Sequence, residues 1–186
     1  GQEPVVIDAY AEMPGRGLAS PQIGQGTFEA RFDYVGPMST RVGYGSVATP
    51  GIFAGLELAS GRYGQRPWPT VVAPAIGWAE RGFPLTGGAA EYLRYTHEAI
   101  FSWHPESYRA LHHSDGSLLQ AGEIVQIPHL ADSLRLIAEQ GVAAFYTGDI
   151  GQRMAAEIQA HGGLLTTEDL TAYAAIPRQP LRLHFG

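Results

Sequence analysis

Residues 141–173 constrain the fold more than any other stretch of the chain. An apolar stripe with helical spacing runs through the middle of this stretch and consists of Ile150, Met154, Ala155 and Ile158. The pair Gly162-Gly163 follows the stripe, at the place where a residue in the left-handed conformation commonly ends a helix. The pattern therefore predicts a helix that stops at a pair of glycines.

A second helix is predicted to begin directly afterwards, with Thr166 as its N-cap. Asp169 lies three residues further on, which is an acidic variant of the capping box. In such a box the two side chains satisfy backbone N–H groups that the first helical turn leaves free. The stretch thus predicts a helix, a glycine stop and a capped helix in direct succession.

Helices are also predicted upstream of this stretch. Thr49 followed by Pro50 has the form of an N-cap with proline at the first helical position, so a helix should run to about Ser60 and end at Gly61 or Gly64. Apolar residues at helical spacing predict three more: from Pro67 to Gly82, over residues 88–111 with a break at Pro105, and from Pro128 to Gly141.

Strands are predicted near both ends of the chain. Residues 4–10 form a β-branched run, and residues 181–185 alternate apolar and polar side chains as a half-buried strand does. Residues 122–127 are consistent with a short strand or a turn. Residues 11–46 are rich in Gly, Pro and Ser with little periodicity, and are interpreted as a long irregular segment of the kind that is usually functional or poorly ordered.

Composition excludes several classes of function. The net charge of -6 gives a nucleic-acid partner no electrostatic support. All 12 basic residues are arginine, so this chain cannot supply a lysine Schiff base, and cysteine is absent, so it cannot supply a disulfide or a thiolate metal site. No apolar run approaches the ~20 residues of a membrane span. These features do not distinguish cytoplasm from periplasm.

The histidines do not indicate a metal site. His112 and His113 stand close to Asp115, but no pair of ligands has helical spacing, and Asp115-Gly116 is typical of a polar turn. His97 lies on an apolar helix face and is interpreted as a hydrogen-bonded core histidine. No metal and no cofactor is therefore predicted.

Read as whole strings, these segments resemble the large subunit of the gamma-glutamyltransferase family, whose members are N-terminal-nucleophile hydrolases. The strings are Phe-Tyr-Thr-Gly-Asp-Ile at 145–150, Gly-Gly-Leu-Leu-Thr at 162–166, and Asp-Leu-Thr-Ala-Tyr at 169–173. Residues 47–58 and 128–141 are similar to two further segments of the same subunit. The resemblance covers roughly residues 5–185.

The resemblance implies an α+β fold that is part of a four-layer αββα sandwich, with this chain mostly helical and carrying edge strands. It implies that residues 1–186 form a single interior segment of the large subunit. In the family, a precursor cleaves itself before a threonine, which then starts the small subunit. Its hydroxyl attacks an amide or gamma-glutamyl carbonyl, its α-amine acts as base, and an oxyanion hole stabilises the intermediate. The catalytic residues are thus expected in a small-subunit partner and none in this chain.

One residue here is expected to contact substrate. Family transferases bind the α-carboxylate of the glutamyl group with the arginine of an Asp-Phe-Arg-Glu-Thr-Ala-Pro segment. Anchoring Asp8 and Pro14 on that segment places Tyr10 at the arginine, and a tyrosine cannot replace its charge. The resemblance therefore favours an amidohydrolase or acylase over a gamma-glutamyl transferase, while an aromatic packed in the core remains the plain alternative for Tyr10.

Two other readings of the whole chain remain open. One is a non-catalytic family member or a structural subunit that holds a partner chain. The other is a small-molecule binding domain unrelated to the family, which a fold without paired central sheets would favour.

Overall fold

The computed structural model describes residues 3–184, and helices dominate them. The eight α-helices of this part of the chain are α1 (Ile52–Tyr63), α2 (Trp68–Arg81), α3 (Gly87–Thr96), α4 (Pro105–Leu111), α5 (Leu130–Gln140), α6 (Ala143–Tyr146), α7 (Asp149–Ala160) and α8 (Thr167–Ala172). A 3₁₀ turn at Tyr44–Ser46 precedes α1, and a π-helix at His97–Phe101 continues α3.

The strands of residues 3–184 pair as three antiparallel two-stranded ribbons. The strands are β1 (Val6–Asp8), β2 (Phe28–Asp33), β3 (Pro37–Val42), β4 (Phe83–Pro84), β5 (Ile124–Val125) and β6 (Ile176–Arg178). The ribbon of β1 and β6 joins residues far apart in sequence, with Val6 opposite Arg178 and Asp8 opposite Ile176. The pairing with β6 therefore fixes the position at which the chain leaves β1.

The main core gathers apolar side chains from the last four helices and the loop before α8. Its buried residues are Ile137, Val142, Ala144, Tyr146, Ala155, Ile158, Leu165 and Leu170. Leu165 and Leu170 are completely buried, and burying one such side chain stabilises the fold by about 1.5–3 kcal/mol. The stripe predicted along α7 therefore does face the core. A second, smaller core is formed by Leu85, Leu93, Leu119 and Val125.

Most helix boundaries follow the sequence pattern. Helix α2 ends at Gly82 and α5 at Gly141, both with positive φ, and α8 carries the predicted capping box of Thr166 and Asp169. Helix α1 ends at Gly64, one of the two predicted positions. The region 88–111 is not one helix but α3, the π-helix and α4, with Pro105 at the start of α4.

The predicted N-cap at Thr49 is wrong. Helix α1 begins at Ile52, its N-cap position is Gly51, and no side chain caps it. The backbone N–H and carbonyl of Thr49 are already paired with Glu12. The chain is therefore still extended at Thr49, and the helix begins only at Ile52.

Two strand predictions also need correction. Residues 11–46 contain the β2–β3 hairpin, whose six paired positions lack the strict alternation of apolar and polar residues. The last strand is β6, not residues 181–185. Leu181 and Leu183 are 97% and 76% exposed and belong to no strand, while Phe185 lies outside the described residues. The predicted strand 4–10 is present but short.

Candidate functional site

The chain that leaves β1 forms the candidate site, and residues 10–17 are called the 10–17 segment below. Its base is fixed by Asp8, whose carboxylate accepts hydrogen bonds from the Arg178 guanidinium (2.6 Å) and from the backbone N–H of Tyr10 (3.2 Å). These two bonds, the arginine first, lower the pKa of Asp8. Because the arginine comes from β6, the ribbon and the start of the segment share one ion pair.

The first contact that holds the segment comes from Tyr173, just after α8. Its hydroxyl donates to the carbonyl of Tyr10 at 2.6 Å. Burial, followed by the nearby charges of Glu12 and Asp8, raises the pKa of Tyr173, so the hydroxyl keeps its proton for this bond. The bond reaches Tyr10 only because Gly51 has no side chain. A Cβ there would overlap the Tyr173 hydroxyl and the Ala9 carbonyl.

The second contact is a short stretch of strand pairing. The backbone N–H of Glu12 donates to the Thr49 carbonyl at 3.1 Å, and the N–H of Thr49 donates to the Glu12 carbonyl at 2.9 Å. Thr49 is 1% exposed, and its hydroxyl oxygen has no hydrogen-bond partner among residues 3–184. This contact therefore acts through the backbone alone.

The third contact is the most elaborate and centres on Asp169. Its carboxylate accepts the backbone N–H groups of Gly15 (2.8 Å) and Arg16 (2.9 Å) from the segment, and the N–H of Thr166 (2.9 Å) from its own helix. The Thr166 hydroxyl accepts a hydrogen bond from the N–H of Asp169 (3.0 Å). The same hydroxyl has two acceptors for its one proton, the Arg16 carbonyl (3.1 Å) and the Asp169 carboxylate (3.0 Å). The capping box of α8 is thus also the anchor of a segment about 150 positions earlier in the chain.

The charge on Asp169 is stabilised despite its burial. The residue is 1% exposed, and burial acts to raise the pKa of its carboxyl group. The N–H groups of Gly15, Arg16 and Thr166 and the Thr166 hydroxyl outweigh this effect, and the net pKa is lowered. Asp169 is therefore an ionised carboxylate at neutral pH, enclosed by donors.

Two glycines shape the backbone that surrounds this carboxylate. Gly15 has φ 119° and Gly17 has φ 76°, both in the region that side chains disfavour. The torsion at Gly15 lies between the N–H groups of Gly15 and Arg16, which both donate to the same carboxylate. The Gly-Arg-Gly pattern at residues 15–17 lacks the G-x-G-x-x-G spacing of a phosphate loop. The structure shows that the anion it surrounds is a side chain of the same chain.

The side chains of the segment face outward. Tyr10 is 84% exposed, so it does not pack in the core of this chain. The Arg16 guanidinium is half exposed and lies 3.0 Å from the Glu12 carboxylate and 3.8 Å from that of Asp169. The segment thus presents an uncharged aromatic ring together with an arginine that already has carboxylate partners.

A groove of about 590 Å³ lies between α1, α6 and α8, and its wall includes Tyr173, whose hydroxyl bonds the Tyr10 carbonyl. Its wall is largely apolar and includes Ala54, Leu58, Tyr146, Leu170 and Tyr173. The Tyr146 hydroxyl donates to the Pro50 carbonyl (2.9 Å) and accepts the Ala54 N–H (3.2 Å), which ties the motif at residues 145–150 to the start of α1.

The histidines are used structurally. His112 is buried, and its two ring nitrogens lie 3.0 Å from His97 and 2.9 Å from the Tyr108 carbonyl. The side chain of Asp115 accepts bonds from Ser117, and Gly116 has φ 85°, which confirms the predicted turn. Among residues 3–184 no group of three potential metal ligands comes together.

Sequence reasoning missed the role of Asp169 in holding the segment. The capping box was predicted, and residues 11–46 were recognised as rich in glycine, but nothing in the spacing connects residue 15 to residue 169. An acidic residue at a helix start and a glycine-rich turn elsewhere are the only signals that the sequence offers.

No helix within the described part of the chain is long and apolar enough to cross a membrane.

Comparison with known proteins gives a consistent result. The family model described as gamma-glutamyltranspeptidase matches residues 5–186. The glutathione hydrolase proenzyme of Escherichia coli is 39% identical over 133 residues, which are 72% of this chain and 23% of that protein. The chain thus spans less than a quarter of the length of this relative.

Solved structures agree with the sequence comparison. The gamma-glutamyltranspeptidase of Helicobacter pylori superposes with a TM-score of 0.77 at 25% identity, covering 95% of this chain and 49% of that one. A cephalosporin acylase from Bacillus halodurans superposes with a TM-score of 0.72 at 26% identity, covering 96% and 32%. The predicted α+β class and the fold of N-terminal-nucleophile hydrolases are confirmed. The chain belongs to the gamma-glutamyltranspeptidase family.

Proposed function

We propose that this chain is a single large-subunit segment of an amidohydrolase or acyltransferase, and that its 10–17 segment forms one wall of the substrate pocket. The nucleophile in this proposal is the N-terminal threonine of a small-subunit partner, released by self-cleavage of a precursor. The substrate is a small amide or a gamma-glutamyl compound. Family membership supports the reaction class, and the names of the relatives include both a glutathione hydrolase and a cephalosporin acylase.

The observation that carries the proposal is the placement of Tyr10. By its spacing from Asp8 and Pro14 the residue corresponds to the family's arginine, as the resemblance implies. Its ring is 84% exposed, and its backbone is fixed on both sides by Asp8 and Tyr173. A residue whose backbone is held while its side chain projects from a loop is suited to contact a ligand. In this role Tyr10 supplies an aromatic surface and no positive charge.

Within the 10–17 segment, Arg16 is poorly suited to replace the missing arginine. Arg16 is the basic residue of the segment, and the carboxylates of Glu12 and Asp169 lie 3.0 Å and 3.8 Å from its guanidinium. A guanidinium with two such neighbours has little net positive potential to offer a third carboxylate. The proposal therefore favours substrates that lack an α-carboxylate at this position.

Replacing Tyr10 tests this proposal. In the protein that contains this chain and its small subunit, Tyr10→Arg is expected to raise kcat/KM for a gamma-glutamyl anilide relative to a simple acyl anilide. A charge-assisted hydrogen bond is worth about 1.5–3 kcal/mol, which corresponds to roughly ten- to a hundred-fold in that ratio. Tyr10→Phe should leave the ratio nearly unchanged.

Controls separate this effect from a general change of charge. Tyr63→Arg adds the same charge at the end of α1, on a ring that is 54% exposed, and should not alter the ratio. This chain without its partner should show no turnover of either substrate. If the unmodified protein already prefers the gamma-glutamyl substrate strongly, another residue binds the carboxylate and the proposed role of Tyr10 is wrong.

A further inference from the structure

The buried carboxylate of Asp169 lies outside the groove and outside the exposed face of the 10–17 segment, yet it has more contacts with the segment than any other side chain described above. It accepts two of the segment's backbone N–H groups, and its capping partner Thr166 lies 3.1 Å from the Arg16 carbonyl. We propose that Asp169 is a positioning residue for substrate binding, which acts by locking the 10–17 segment against the start of α8. This proposal rests on the proposed function of the segment.

The lock is strong because its acceptor is charged and buried. Three backbone N–H groups donate to the carboxylate, those of Gly15, Arg16 and Thr166, and the Thr166 hydroxyl lies 3.0 Å from it. Hydrogen bonds to an ionised group are roughly twice as strong as those between neutral groups. The other two contacts of the segment, the Tyr173 hydroxyl and the backbone pair of Glu12 with Thr49, are between neutral groups.

The lock is also specific to the segment. A capping box needs only the two bonds between Thr166 and Asp169, in which each side chain accepts the backbone N–H of the other residue, and α8 has both. The N–H groups of Gly15 and Arg16 are additional donors, and the φ of 119° at Gly15, which favours glycine, lies between them. A carboxylate that served only to cap α8 would not require this glycine turn around it.

The lock holds the part of the segment that follows Tyr10. The backbone of Tyr10 is bonded to Asp8 and Tyr173, and Glu12 is paired with Thr49, so Asp169 is the main anchor of residues 13–17. Freed from Asp169, residues 13–17 would keep the Glu12 pairing at one end, and Arg16 would keep its contacts with the Thr166 hydroxyl and the Glu12 carboxylate. The Arg16 guanidinium, which contacts both Glu12 and Asp169, would also lose one of its two carboxylate neighbours. Both changes alter the surface that the segment offers to a substrate.

Two variants break the lock from opposite sides. Asp169→Asn removes the charge while keeping the shape. Gly15→Ala leaves the capping box intact, and its added Cβ meets nothing nearer than Pro21 at 3.9 Å, so it disturbs only the backbone at φ 119°. Each has a matched control. Asp149→Asn removes an exposed acid from the first turn of α7, and Gly24→Ala adds a Cβ at φ 90° in open space.

The measurements are steady-state kinetics with an acyl anilide and amide hydrogen exchange of residues 13–17, on the protein with its small subunit. Both lock variants are expected to raise exchange in residues 13–17 and to raise KM by roughly ten- to a hundred-fold, with a much smaller change in kcat per titrated active site. A purely structural role would instead reduce the number of active sites at unchanged KM. The controls should match the unmodified protein.

The outcomes separate this inference from the proposed function. Unchanged exchange in both lock variants would overturn the lock itself. Raised exchange with unchanged KM would overturn its role in substrate binding, and the result of Tyr10→Arg then decides whether the segment faces substrate at all. If Asp169→Asn does not fold, Gly15→Ala alone carries the decision, because it leaves α8 and its cap untouched.

Discussion

The starts of two helices hold the 10–17 segment, and a threonine lies at each. The two threonines contact the segment in different ways. Thr166 caps α8, and its hydroxyl takes part in contacts with both Asp169 and Arg16. Thr49 precedes α1, is as deeply buried, and holds Glu12 only through its backbone, while its hydroxyl has no partner in the described part of the chain. The start of α8 therefore holds the segment with charge and polar side chains, and the start of α1 holds it with backbone pairing and close packing.

This difference has a physical origin in what surrounds each helix start. At α8 the approaching backbone presents free N–H groups from Gly15 and Arg16, which a carboxylate can accept. At α1 the approaching chain pairs with Thr49 as a strand, so the backbone N–H and carbonyl of Glu12 are already bonded. The remaining contacts there are close van der Waals contacts. Gly51 serves that contact, since no other residue leaves room for the Tyr173 hydroxyl and the Ala9 carbonyl.

The largest expected effect is at Gly51. Its backbone has φ -110° and ψ -14°, which alanine adopts freely, so Gly51→Ala introduces only a steric clash. Both the Tyr173 hydroxyl and the Ala9 carbonyl would have to move, and we expect a loss of about 3 kcal/mol or more in the free energy of unfolding. Chemical denaturation of the purified protein measures this loss.

Gly61→Ala is the matched control for that variant. Gly61 lies within α1 and a Cβ there meets no atom within 4 Å. Alanine is favoured over glycine in a helix by about 1 kcal/mol, so this variant should be neutral or more stable. Equal losses from the two variants would show that the start of α1 is not held by close packing.

The next effect is the pH dependence at the start of α8. The pKa of Asp169 is lowered in the folded protein, because the N–H and hydroxyl donors outweigh the effect of burial. A group whose folded pKa is lowered contributes stability above its unfolded pKa of about 4, and that contribution is lost as the pH falls through the folded value. We expect Asp169→Asn to cost about 2–3 kcal/mol at pH 7.

The difference between Asp169→Asn and the unmodified protein should be constant from neutral pH down to about pH 4 and should shrink below it. Denaturation curves at a series of pH values measure this. The Gly51→Ala variant provides the contrast, because its loss involves no titrating group and should persist through the same range. A gap at Asp169 that stayed constant to the lowest pH would mean that the carboxylate is not the anchor.

The comparison also explains how far the sequence leads. The capping box of Thr166 and Asp169 was predicted correctly because all of its parts lie within four residues. Thr49 looked equally suitable as an N-cap, and the prediction failed because Glu12, 37 positions earlier, takes up its backbone. Local spacing cannot show which distant strand will pair with a residue, and the same limit hid the contact between Gly15 and Asp169.

The strands illustrate the same limit. Residues 181–185 have the alternation of a half-buried strand, yet β6 lies at Ile176–Arg178, where Arg178 forms its ion pair with Asp8. A specific long-range ion pair and register are not visible in a local pattern. The β-branched run predicted a strand over residues 4–10, and the family resemblance led to the prediction that Tyr10 contacts substrate. The 84% exposure of Tyr10 required the fold.

The smallest expected effect, and the sharpest test of the comparison, is at Thr49. Thr49→Val removes the hydroxyl and keeps a β-branched side chain of the same shape, so the backbone pairing with Glu12 is preserved. Because that hydroxyl has no partner among residues 3–184, it contributes a cost of burial without a hydrogen bond in return. We expect the free energy of unfolding to stay within about 0.5 kcal/mol of the unmodified value or to rise.

The same change at Thr166 removes an N-cap and should cost about 1–2 kcal/mol. The two variants make the same chemical change at buried positions, 1% exposed at Thr49 and 6% at Thr166, so denaturation of the pair isolates the hydrogen-bonding role of the hydroxyl. A loss at Thr49 as large as that at Thr166 would mean that its hydroxyl is bonded in the assembled protein, and the start of α1 would then also hold its neighbours through a polar side chain.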